Sequence, residues 1–264
     1  MRLSRRREDP RLRYYLYVSD TKLDMLFEQI DQSMLKRISA EVKVDLTLAS
    51  VTLKRADNPT PARAAKLRVV ERFIDRHHHV GTIEDPGNEY FRGRMQMAWG
   101  WLRTPPVNDM VFFQGWQAHH TVVLAGSSRH VLGRAAVEEE TRQARSSFPD
   151  DILWAIDEHI SHLPELADSI REAKHRDPHW WPENRRTGDI RHALNESFFT
   201  LPTRHHRLTQ SLEFLAVPLI QEKGQVSRYH PDFADAYNTV LGTPLYVAIG
   251  SGPGATETSA AETR

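Results

Sequence analysis

Gly126-Ser127-Ser128-Arg129-His130 gathers a glycine, two hydroxyls, a guanidinium and an imidazole directly after the apolar run Thr121–Ala125. If that run is a strand, successive backbone N–H groups at its end form a small nest for a phosphate or carboxylate. Ser127 and Ser128 add hydroxyl donors, Arg129 a bidentate charge-assisted contact, and His130 a donor or base. The same five residues also make a capped turn ahead of a helix, and both readings stand. No Walker or dinucleotide-binding spacing of glycines accompanies them.

Catalysis is the second chemistry these residues allow. Ser127 as nucleophile needs a base within hydrogen-bond reach and an acid to orient that base. His130 and His120 are the candidate bases, and Asp20, Glu89 and Asp109 sit near expected strand ends with nothing to choose among them. The chain has no GxSxG elbow. Enzymatic activity therefore stays open, with a histidine-based hydrolase as the alternative to a binding module. Metal binding finds little support. The histidines come as neighbours (His77 to His79, His119-His120, His205-His206), and adjacent side chains do not converge on one point from a strand or helix. There is no HExxH and no cysteine, so no metal site and no cofactor are assigned.

The elements that must carry these residues follow from periodicity. Leu12–Val18 reads as a first strand, central because both of its faces are apolar or aromatic. Ser19 or Asp20 caps a helix with Leu23, Leu26, Phe27 and Ile30 on one face. Alternation across Ile38–Leu53 predicts a strand or hairpin, and Ala62–Arg76 a helix opened by Pro61. Residues 88–126 read as a three-strand antiparallel meander of the kind that curls or closes into a barrel. Ser211–Ile220 is buried, strand or helix being left open by Pro218, and Leu245–Ile249 is a final strand. In this arrangement Tyr15, Tyr17, Trp99 and Trp116 shape a pocket that Gly126, Ser127, Ser128, Arg129 and His130 contact.

A chain of 264 residues with 35 basic and 35 acidic side chains is long enough for a sizeable core and carries no net charge to drive nonspecific nucleic-acid binding. No apolar run is long enough to span a membrane, and the basic start MRLSRRREDPRLR lacks the apolar stretch of a signal peptide. The absence of cysteine fits the cytoplasm. Trp180-Trp181, beside Arg185 and Arg186, offers a clamp for a planar or anionic partner, a contact for a protein partner, or an anchor for its own loop. The expected layout is a basic arm (1–11), one α+β domain (12–250) with a helical insertion over about 134–210, and a disordered tail (251–264). The sheet is mixed or mainly antiparallel, curled, and packed by helices.

Four segments together resemble DUF7019, an uncharacterised bacterial family common in actinomycetes. They are YYLYVSDTKLDMLFEQI (14–30), WG (99–100) with VFFQG (111–115), VLAGSSRHVLG (123–133), and EFLA (213–216) with LGTPLYVAIG (241–250). The resemblance implies a single conserved unit over about 12–250 and transfers no reaction, cofactor or residue role. The function expected from the residues is a cytoplasmic binding or regulatory module for a small anionic or nucleotide-like ligand. The third reading is a structural or partner-binding protein.

Overall fold

The computed structural model describes residues 13–42, 60–104, 107–117, 120–133, 152, 209–224 and 237–250. Strand β1 (Tyr14–Val18) leads into helices α1 (Asp20–Glu28), α2 (Gln32–Val42) and α3 (Thr60–His77). A short β2 (Val80–Gly81) precedes the meander β3 (Tyr90–Thr104), β4 (Val107–Gln117) and β5 (His120–Ser127). A 3-10 turn, Ser128–His130, follows β5, and the long strands β6 (Gln210–Gly224) and β7 (Tyr237–Ile249) complete the sheet.

The ladders close on themselves. β3 pairs β4, β4 pairs β5 and β5 pairs β7, while β6 pairs both β7 and β3. All these pairings are antiparallel except β5 with β7. The length of β3 makes closure possible: its first half, from Phe91, lies against β6 and its second half, from Met97, against β4. The result is a five-stranded Greek-key barrel with the strand order of the OB-fold class. Its interior is filled by alternate residues of every strand, among them Phe91, Met95, Met97, Phe113, Leu124, Phe214 and Val247. Pro218 is tolerated in β6 because the β3 ladder has ended at Ala216, and the β7 ladder shifts register just beyond it.

The three helices cover one outer face. Leu23, Leu35, Ile38, Leu67, Val70 and Ile74 pack against Val18, Leu215, Leu245, Tyr246 and Ala248. The α+β, barrel-like architecture expected from the sequence is therefore the one present. Two local expectations fail. Residues 38–42 are the end of α2 and not a strand: Leu35, Ile38 and Val42 share a helical face against the same cluster. The remainder of that expected strand or hairpin, 43–53, lies outside the described residues. β1 is also not central. Among the described residues it is an edge strand that pairs β7, with Val131 bridging to Tyr17 and Leu132 N–H donating to Leu16 O at 2.9 Å on its other side. Its two apolar faces arise from a bulge between Tyr15 and Tyr17. Tyr15 stays on the helix side, edge-on to Tyr246 at 5.6 Å, while Tyr17 turns into the barrel and is fully buried.

β1 is tied down at its start by ion pairs. Arg13 binds Glu71 of α3 at 2.8 Å and Glu213 of β6 at 2.6 Å, and the Tyr246 hydroxyl donates to Glu71 at 3.1 Å. Glu71→Ala should lower stability by about 1–3 kcal/mol in urea unfolding, because it leaves a buried phenol without its acceptor. Glu71→Gln keeps an acceptor and should cost about 1 kcal/mol or less. Equal losses in the two variants would show that the charge, not the phenol's hydrogen bond, is what matters there.

Candidate functional site

The sequence places a glycine where β5 approaches β1, and the fold uses it to admit Tyr17. A Cβ on Gly126 would stand 2.3 Å from the Tyr17 hydroxyl oxygen. That hydroxyl is buried beside the Ser19 side chain, and burial outweighs that contact and pushes it well above the ordinary phenol range. The Tyr17 ring meets Phe113 and His130 edge-on, at 6.0 and 5.9 Å. Thus the glycine, the tyrosine and the imidazole form one packed unit at the end of β5.

The 3-10 turn then carries His130 and Arg129 to the start of α1. His130 is buried, with Nδ1 3.3 Å from the Asp20 backbone N–H and 3.8 Å from Asp20 Oδ2. Ser19, the N-cap of α1, makes no side-chain cap bond, and the His130 ring packs at that helix end with Nδ1–H toward the Asp20 carboxylate, which leaves Nε2 as the one ring acceptor. Arg129 donates from Nη2 to Thr21 Oγ1 at 2.9 Å, and its Nε lies 3.3 Å from His130 Nε2. Asp20 is also paired with Arg63 of α3 at 2.6 Å. Burial alone would raise the Asp20 carboxyl, but His130 and Arg63 together outweigh it and hold the group below its usual range.

These groups line an open cleft of about 640 Å³ formed by Asp20, Thr21, Asp24, Met25, Glu28, Arg129 and His130. Its size suits a small molecule. Because it is shallow, charged contacts rather than enclosure must supply the affinity.

Of the residues singled out from sequence, the structure brings Arg129 and His130 to the cleft. Ser127 is half-buried at the end of β5, and Ser128 is buried at the start of the turn. Tyr17 stands behind His130, whereas Tyr15 lies on the opposite, helix-packed face. Trp99 stacks on Phe113 at 6.1 Å and belongs to the barrel interior. His120 begins β5, roughly 23 Å of strand from Ser127. The backbone of Trp116 pairs with Thr121, and its side chain lies outside the described residues, as do Trp180 and Trp181. Among the described residues no cluster of three or more metal-ligating side chains occurs, and no helix is long and apolar enough to cross a membrane.

Comparison with known families decides one point. A family of unknown function, DUF7019, matches residues 13–251. The chain belongs to DUF7019. That span takes in β1, the helices, the barrel and the cleft, so the site described lies wholly within the DUF7019 unit. No curated protein and no solved structure matches this DUF7019 chain.

On the α1 side of the cleft, sequence reasoning named Asp20 only as a cap and as one of three acids, and it missed Thr21, Asp24 and Glu28. Asp20, Asp24 and Glu28 recur every fourth residue, which puts them on one helical face. It also missed Lys22, whose ammonium donates to Thr243 Oγ1 at 2.8 Å and which burial pushes down to about 8.

The imidazole has hydrogen-bonding groups on both ring nitrogens. Nε2 faces a guanidinium, and among the described residues no hydrogen bond joins the ring to Ser127 or Ser128. A serine-activating base would need that nitrogen on the hydroxyl. The arrangement instead orients Arg129.

Proposed function

We propose that this DUF7019 protein is a binding or regulatory module for a small anionic, nucleotide-like ligand, held in the cleft between α1 and the turn after β5. A cytoplasmic setting and an actinobacterial source belong to the same reading, the first resting on a chain without cysteine. The observation that carries it is the state of Arg129. Thr21 and His130 fix two nitrogens of its guanidinium, yet no carboxylate neutralises it among the described residues. A fork fixed in this way and still carrying its charge suits a phosphate or carboxylate.

The barrel supports this choice of site. OB-fold barrels bind oligonucleotides on the outer face of their second and third strands. Here the corresponding residues of β4 and β5, including Phe112, Gln114, Val123 and Ala125, are buried. Among the described residues, the cleft beside α1 presents polar groups to a guest.

Arg129→Ala tests the reading. Arg129 is exposed, so its loss should leave stability within about 0.5 kcal/mol. Native mass spectrometry of the purified protein, followed by calorimetric titration with adenosine monophosphate and inorganic phosphate, should show binding to the unaltered chain and none to the variant. Equal binding by both proteins, or no anion retained or bound by the unaltered chain, would overturn the proposal.

A further inference from the structure

We infer that the cleft takes a dipolar ligand, with its anionic group on Arg129 and an ammonium or other cationic group on Glu28. This rests on the anion-binding reading above and narrows it.

The charges of the cleft are not equally spent. Asp20 is paired with Arg63 and Asp24 with Lys66, both at 2.6 Å and both from α3. Those two carboxylates are therefore neutralised from behind. Glu28 has no ion pair among the described residues, and Arg129 has no carboxylate. What remains is one positive group at the first turn of α1 and one negative group at its last. Thr21, which holds Arg129, and Glu28 are roughly 10 Å apart along the helix axis. The Glu28 side chain, exposed at the end of α1, can lean inward and shorten that span.

Between them lies Met25, 54% exposed among charged neighbours on the same helix. A thioether there offers a soft apolar contact for a short aliphatic linker. A simple anion would gain Arg129 but sit in the field of an unopposed carboxylate. A ligand carrying both signs, joined by a few methylenes, satisfies both ends and covers Met25.

The test uses butyl phosphate and 4-aminobutyl phosphate, titrated calorimetrically at low ionic strength into the full chain. The unaltered protein should bind the amine-bearing probe about fivefold more tightly, the scale expected of one exposed ion pair. The preference should shrink in high salt. Glu28→Gln should level the two probes without weakening butyl phosphate, and Arg129→Ala should remove both. Equal affinities in the unaltered protein, or an undiminished preference in Glu28→Gln, overturn the dipolar ligand while leaving the anion site standing. Binding of neither probe, nor of any phosphate, overturns the anion site and this inference with it.

Discussion

Gly126→Ala is expected to destabilise the fold by about 3 kcal/mol, near the upper end of overpacking costs, and to disable the cleft as well. The added methyl would meet the Tyr17 hydroxyl at 2.3 Å and the ring carbon bearing it at 2.9 Å. Tyr17 is fully buried between Phe113 and His130, so it has no free direction in which to retreat. Any shift of the ring displaces His130, and with it the nitrogen that faces Arg129. Tyr17→Phe separates the two effects. Alone it removes a buried hydroxyl whose contact is the Ser19 side chain and should change stability by about 1 kcal/mol or less. In the Tyr17→Phe background the alanine should cost measurably less, with some cost remaining from the ring carbon. Urea unfolding of the four proteins gives the cycle. A Gly126→Ala protein as stable as the parent would show that Tyr17 is not packed against this backbone.

This assigns Gly126 a packing duty that the nest reading did not include, and it shows where sequence patterns stop. The meander, the last strand and α3 were readable because each is a continuous periodic run bounded by glycine, proline or a cap. Barrel closure was suggested by the meander alone. The pairing that completes it joins β3 to β6, which are more than a hundred residues apart in the chain. At β1, alternation assigns Tyr15 and Tyr17 to one face. The bulge between them puts one against the helices and the other inside the barrel, and no side-chain pattern announces such a bulge. For α2, Val42 belongs equally to an alternating run that continues past it and to the helical set Leu35, Ile38, Val42. Tertiary burial chose the helix.

The site divides along the same line. Arg129 and His130 could be named because chemically distinct residues stood together after an apolar strand. Their partners could not be picked out: Asp20 was one of three acids with nothing to choose among them, and both it and Thr21 lie more than a hundred residues away. The cations that neutralise Asp20 and Asp24 come from a third element, and only the fold shows that Glu28 is left over. His120 was equally plausible by type. It lies at the other end of the strand that leads to Ser127, a separation that depends only on strand length.

Lys22 should make the protein more stable as pH rises from about 8 toward 10.5, and Lys22→Met should abolish that rise. Burial is the cause that lowers this amine from its ordinary value, so the folded state disfavours the charge. Below pH 8 the group is protonated whether folded or unfolded, and the penalty is present in full. Between about 8 and 10.5 the unfolded chain holds the proton and the native chain has released it. The unfolded state then binds more protons, and unfolding free energy climbs with pH. Allowing for partial exposure, the gain is about 2 kcal/mol. Thr243 Oγ1 can serve both forms, accepting from the ammonium or donating to the free amine. The buried phenols of Tyr17 and Tyr246 are raised, so their titration lowers stability toward the alkaline end. For that reason the comparison must be with Lys22→Met, in which they titrate alike, and not with pH alone. Urea midpoints at pH 7.5 and 10 for the two proteins give the difference. Parallel curves would mean that the turn of α1 presenting Thr21 to the cleft is not anchored on β7 through a buried amine, and the rigid wall assumed for the ligand site would lose one of its supports.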